Sequence, residues 1–285
     1  MHRLVVLLAL AGSLLPSRVA LAHDATPGAS PVAVSGDFVG NVDIGGRTLN
    51  LECFGAGGPT VVFEAGLGDN VFVWSRVQPE VAIFARACAY DRANVTTGFS
   101  DPTTDAVRTA ADAAADLHTL LGAAGVPGPY VLVAHAFGGT VARVYASRYP
   151  AEVAGLVLVD VTPPELDPTV PLDDPEAYPR FVRGENAERM DLLASGQQVA
   201  EATVPPVPVV ALMQDPTIAP PGWQAMQEEQ ARQLNARLVV VEGAGHRIHE
   251  LRPELVVDAV RQVIDAVRDA ATPASAPPPT GTPAA

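Results

Sequence analysis

The stretch Tyr130-Val131-Leu132-Val133-Ala134-His135-Ala136-Phe137-Gly138-Gly139 decides the fold class. Its first half is a nearly continuous apolar run, the mark of a strand covered on both faces. Its second half turns at once into a helical pattern over Gly139–Arg148. A buried strand feeding a helix is the repeating unit of a parallel sheet with helices on both sides. The same rhythm extends outward in both directions. Strands are predicted at 38–44, 48–54, 60–64, 87–90, 130–134, 154–159, 207–213 and 237–242. Helices are predicted over Thr104–Leu121, with Val107, Ala110, Ala114, Leu117 and Leu121 on one face, and over Gln224–Leu234. A last helix runs from Pro253 to about Ala270 with the stripe Val256, Val260, Val263 and Val267. The stretch 163–205, rich in Pro, Asp and Glu, interrupts the rhythm between two buried strands and reads as an inserted cap.

Composition sets the outer limits. The chain has 285 residues, 48% of them hydrophobic, which excludes intrinsic disorder and supplies a large core. It carries a formal net charge of −14 and contains no lysine. Phosphate backbones and anionic membranes repel such a chain, so nucleic acid is an unfavourable partner. Two cysteines are too few for a disulfide-built fold or a four-cysteine zinc site. Neither a glycine-rich phosphate loop nor a dinucleotide fingerprint is present, and no cofactor is expected.

The ends read differently from the middle. Residues 1–22 combine Arg3, the apolar run LVVLLALAGSLL and a closing Ala20-Leu21-Ala22, the pattern of a cleavable secretory signal peptide. The run is shorter than the ~20 residues that span a bilayer, so export to a periplasmic or extracellular space is expected rather than a membrane span. Residues 23–36 read as a flexible leader, 37–270 as the folded domain and 271–285 as a tail rich in Pro and Ala.

Around the central turn the sequence resembles the α/β-hydrolase superfamily, whose nucleophile elbow runs small-x-Ser-x-Gly between strand and helix. Ala134 and Gly138 stand at the small flanks, and Ala136 stands where the family has its serine. Thr140 falls inside the helix, Ser100 in another loop, and neither cysteine lies in the elbow. Ala65-Gly66-Leu67-Gly68 after TVVFE resembles the family's first oxyanion loop, which implies that the Leu67 and Phe137 N–H groups face the charged oxygen of a tetrahedral intermediate. Tyr90-Asp91-Arg92-Ala93 with Gly98-Phe99-Ser100-Asp101 resembles the loop after the fourth strand, although Asn94-Val95-Thr96-Thr97 departs from the usual shorter turn. Gly243-Ala244-Gly245-His246 matches the turn that carries the catalytic histidine.

The resemblance implies an acid between positions 136 and 246. Asp160, closing GLVLV, and Asp215, closing PVVALMQ, are the two candidates; the first suits the branch with its acid after the sixth strand. His135 is expected to support the turn, His249 to pack or cap, and His118 to be solvated. The cap residues Pro163, Pro164, Leu166, Val170, Tyr178, Phe181 and Leu192–Leu193 either line an apolar pocket or pack the cap down. Because the family's fourth strand runs beside its second, a disulfide between Cys53 and Cys88 is implied.

The implied activity is carboxylic-ester hydrolysis on a small-molecule ester or apolar ligand, with no oligomeric state specified. Alanine at position 136 leaves three readings open. These are a hydrolase lacking its nucleophile, a ligand- or partner-binding protein on a hydrolase fold, and His/carboxylate general-base chemistry without a serine.

Overall fold

A computed structural model describes residues 36–103, 106–163 and 178–271. Eight strands form one sheet: β1 (Phe38–Asp43), β2 (Thr48–Phe54), β3 (Thr60–Glu64), β4 (Ala87–Tyr90), β5 (Tyr130–His135), β6 (Val153–Val159), β7 (Val209–Gln214) and β8 (Arg237–Val241). Their order is β1-β2-β4-β3-β5-β6-β7-β8. β1 pairs antiparallel with β2, and β2 antiparallel with β4. Every other pairing is parallel. The central strands β3, β4 and β5 are buried at every residue, as their apolar runs require.

The helices are α1 (Gln78–Ala82), α2 (Ala110–Ala123), α3 (Gly138–Arg148), α4 (Tyr178–Phe181), α5 (Leu192–Glu201), α6 (Trp223–Gln233), α7 (Ile248–Leu251) and α8 (Pro253–Ala271). One face of the sheet packs against α2 and α3 through residues such as Leu117 and Val141, and α5 lies on those two helices through Val199. The other packs against α1 and α8 through Val81, Val256, Val260 and Val263. Among the described residues no helix is long and apolar enough to cross a membrane.

One predicted element is corrected. The apolar spacing suggested a helix from Thr104, but α2 begins at Ala110. Thr109 and Asp112 form a reciprocal capping box there, which satisfies the free N–H groups of the first turn and fixes where the helix starts. Just upstream, Arg108 bridges to Met190, and Val107 is exposed rather than part of the buried stripe. Within the cap, α4 and α5 are described, while Pro164, Leu166 and Val170 lie outside the described residues.

The expected disulfide is formed. Cys53 and Cys88 are directly opposed in the β2–β4 register, with Cα atoms 4.1 Å apart. The antiparallel pair thus joins two fully buried positions next to the parallel core.

Candidate active site

In a mostly parallel sheet the carboxyl ends of the strands share one edge, and ligands bind outside that edge. β3, β5, β6 and β8 send their following residues, 65–68, 136–138, 160–162 and 242–246, to one pocket of about 320 Å³. Gly66, Leu67, Ala136, Phe137, Thr162 and His246 are among its lining residues.

Ala136 sits at φ 49°, a left-handed conformation that a residue with a β-carbon adopts only under strain. Its neighbours explain how that turn is held. Its N–H donates to Val159 O at 3.3 Å, and its carbonyl accepts from Gly139 N at 3.0 Å and Thr162 N at 3.1 Å. Gly138 lies so close to the end of β3 that a β-carbon there would be 2.5 Å from Glu64 O, so only glycine lets α3 start at this distance. The methyl of Ala136 is thereby presented at the pocket with no hydroxyl on it.

Two backbone donors flank this position. Among the described residues, neither the Leu67 nor the Phe137 N–H has a hydrogen-bond acceptor. Unengaged N–H groups from two different loops at one pocket suit an oxygen that gains charge.

Of the two candidate acids, Asp160 is the one beside His246. Its Oδ2 lies 2.6 Å from Nδ1 of His246. Its Oδ1 accepts from Gln214 N and from the Trp223 indole N–H, both at 2.9 Å. The carboxylate is fully buried and each oxygen is engaged, whereas the His246 side chain is half-exposed at the pocket. Asp215 is turned elsewhere: it accepts from Thr217 N and Gly243 N, both at 2.8 Å, and so ties the turn after β7 to the turn before His246. Those bonds hold its carboxyl below the usual range.

His135, expected to support the elbow, braces the turn that carries His246. Its Nε2 lies 3.1 Å from the backbone oxygen of His246 and must donate, because a carbonyl only accepts. Nδ1 then carries the lone pair, and burial pushes the ring's pKa down, consistent with the neutral form. Beyond Nδ1 stand Gly66, where a β-carbon would be 2.9 Å away, and the Asp69 carboxylate, whose Oδ2 lies 3.8 Å off and only partly opposes that shift. His249 is a packing residue, fully buried between Trp74 and His135 with ring centroids 5.0 and 4.3 Å away. Burial lowers its pKa to about 3. His118 is not simply solvated: it stacks on Tyr149 at 4.1 Å and its Nδ1 meets Glu152 at 3.1 Å.

The remaining walls follow in part from the cap. Pro163, Phe181 and Leu192 line the pocket, while Leu193 faces outward. Thr140 reaches the pocket wall although it belongs to α3, and Ser100 is spent on Asp91 O and Asn50 N far from it in the β4 loop. At the polar end Asp69 pairs with Arg247 at 3.3 Å, and Arg247 also pairs with Glu250 at 2.6 Å.

The sequence reading missed Trp223, Gln214, Asp69, Arg247 and a buried ionic network of Arg92, Glu64 and Glu188. Glu64 ends an otherwise apolar strand and Arg92 lies in a quoted motif, so both carried a signal. Glu188 is one acid among many in the cap and carried none. Among the described residues no group of three or more His, Cys, Asp or Glu side chains could hold a metal ion.

Comparison with known proteins agrees with this fold. Residues 59–193 match the family described as alpha/beta hydrolase fold. The chain is 34% identical over 106 residues to YqjL of Bacillus subtilis, covering 37% of this chain and 41% of that protein. It is 38% identical over 117 residues to RutD of Variovorax paradoxus, a protein named for carbamate hydrolysis, covering 39% and 42%. The chain thus spans less than half the length of these curated relatives. Among solved structures, an esterase from Thermogutta terrifontis superposes with a TM-score of 0.59 at 22% identity, covering 81% of this chain and 99% of that one. E-2-(acetamidomethylene)succinate hydrolase superposes with a TM-score of 0.61 at 22% identity, covering 81% and 100%. The sheet order and the family match over residues 59–193 together give this chain the α/β-hydrolase fold.

Proposed function

We propose that this chain is an exported protein with a carboxylic-ester-hydrolase site from which the acylation step is missing: it holds a small ester or apolar acyl ligand in the pocket and forms no acyl-enzyme. The observation that carries this reading is the single methyl group of Ala136, held at a strained elbow between two unengaged N–H donors and a 2.6 Å His246–Asp160 pair. In a triad hydrolase the serine forms the covalent bond, the imidazole takes its proton and the buried carboxylate orients the imidazole. Here the second and third parts have partners and the first has no oxygen. Loss of the nucleophile alone lowers turnover by about 10⁶ in a triad enzyme. Export rests on residues 1–22, and the apolar walls Leu67, Phe137 and Leu192 support an acyl or alkyl group as the occupant.

The complete His246–Asp160 pair favours one further reading, in which His246 draws a proton from water at an activated ester. The test separates the two. Ala136→Ser is expected to raise turnover of short- and medium-chain esters by about 10⁶ and to confer reaction with a fluorophosphonate, both abolished by His246→Ala. Ester turnover by the parent chain that His246→Ala removes would favour the water reaction. A folded Ala136→Ser protein with neither activity would refute the hydrolase-site reading.

A further inference from the structure

Beneath the pocket a single guanidinium makes five hydrogen bonds, all of them buried. Arg92 Nη1 donates to Glu64 and, at 2.6 Å, to Ala65 O. Nη2 donates to Gly66 O at 2.5 Å and to Glu188 at 2.6 Å, and Nε donates to the other Glu188 oxygen at 2.7 Å. That uses all five donors of an arginine. Tyr90 completes the group by donating to Glu64. Burial opposes the charge on Arg92, but Glu188 and Glu64 outweigh it and hold its pKa above the ordinary value.

The acceptors are not scattered. Ala65 O and Gly66 O are consecutive carbonyls of the loop that follows β3, and Glu188 also accepts from Gly68 N at 2.5 Å. Leu67 is the residue left between these fixed points. A trans peptide is planar, so the Gly66 carbonyl and the Leu67 N–H belong to one rigid unit and point in opposite directions. Holding the carbonyl on Arg92 therefore aims the Leu67 N–H away from the sheet, and the cation polarises that peptide into a stronger donor. Glu188, the other half of the clamp, is a cap residue. Its own turn is built by Asn186, whose side chain accepts from Glu188 N at 3.2 Å and Met190 N at 3.0 Å. Asn94 Nδ2 holds Glu188 O at 3.1 Å.

We propose that Arg92 and Glu188 are positioning residues that aim the Leu67 N–H, so that the pocket stabilises an oxyanion only while the cap is seated on Arg92. The role assigned to Leu67 rests on the proposed function; the mechanical coupling of cap to loop does not.

Two measurements test the proposal separately. In the parent chain, Glu188→Gln is expected to speed amide exchange at least tenfold in peptides covering both 183–191 and 65–70, with the β5 and β6 peptides unchanged. Acceleration confined to 183–191 would overturn the coupling. In the Ala136→Ser background, Glu188→Gln is expected to lower kcat on an oxygen ester about 100-fold, the loss typical of one oxyanion donor, with KM within threefold. The matching thionoester develops charge on sulfur, a weak acceptor, so its rate should change less than threefold. Parallel loss on both esters would mean general damage and would overturn the positioning role. If Glu188→Gln does not fold, Arg92→Lys serves, since an ammonium keeps the charge but cannot span both carbonyls and both carboxylates; the same outcomes apply. Absence of ester turnover in Ala136→Ser with native Glu188 would refute the proposed function and the aiming role of Leu67 together, leaving exchange to decide the coupling.

Discussion

Replacing Asp160 by asparagine in the Ala136→Ser protein exchanges one acceptor oxygen for an NH₂ donor and changes almost no shape. Oδ1 faces two N–H donors, from Gln214 and Trp223, each at 2.9 Å. An amide nitrogen cannot take that place, so the asparagine oxygen must stay there and its NH₂ must occupy the Oδ2 position 2.6 Å from His246 Nδ1. Two donors cannot face each other, so Nδ1 becomes the acceptor and the ring proton moves to Nε2. An imidazole in that tautomer has no lone pair with which to take the serine proton. The same inversion in a triad enzyme lowers kcat about 10⁴-fold, or about 5.4 kcal/mol of barrier at 1.36 kcal/mol per decade. The assay is single-substrate turnover of a p-nitrophenyl ester, with fluorophosphonate labelling as a second readout and thermal unfolding as a control. KM should move little, because the pocket walls are untouched. A loss smaller than about 100-fold, with the fold intact, would refute the role given to Asp160. Asp215→Asn should leave kcat within a few-fold, because its carboxylate holds Thr217 and Gly243 rather than the histidine.

Reduction of the Cys53–Cys88 disulfide, or Cys53→Ala with Cys88→Ala, should lower stability by about 3.8 kcal/mol for a 35-residue separation, read from urea midpoints with and without reductant; two titratable thiols in the denatured, unreduced protein would contradict it. His249 has its pKa lowered from 6.5 to about 3, so below pH 6.5 the unfolded chain binds a proton that the native state refuses. Stability should therefore fall as the pH drops from 6.5 towards 3, by up to about 1.4 kcal/mol per pH unit from this residue. His249→Phe should flatten that slope in denaturation curves, and an unchanged slope would refute the assignment. Gly138→Ala should destabilise by about 1–3 kcal/mol, because its β-carbon meets a backbone oxygen that has no rotamer with which to yield.

How much of this was legible depended on the range of the interaction concerned. The strands β3 and β5 announced themselves because burial on both faces demands unbroken apolar runs. The elbow was legible because its tight backbone admits only small flanks, and His246 because its turn is local. The start of α2 was misread because apolar periodicity continues through Val107, while the deciding feature is a cap two residues later. Both Asp160 and Asp215 close apolar strands, so the sequence favoured Asp160 only through the branch that keeps its acid after the sixth strand; register and side-chain direction are what bring it to the histidine. Glu188 lies 96 residues from its arginine, and nothing local distinguishes a buried clamp from a solvated acid in a cap full of them.

The chain contains two tryptophans, and both lie against the histidines under the pocket. Trp223 bonds Asp160 and stands edge-on to the His246 ring at 6.0 Å, while Trp74 lies 5.0 Å from His249. Tryptophan emission from this protein, excited where tyrosine does not absorb, therefore comes from the neighbourhood of the site. The molecule carries its own unlabelled optical gauge of ligand entry.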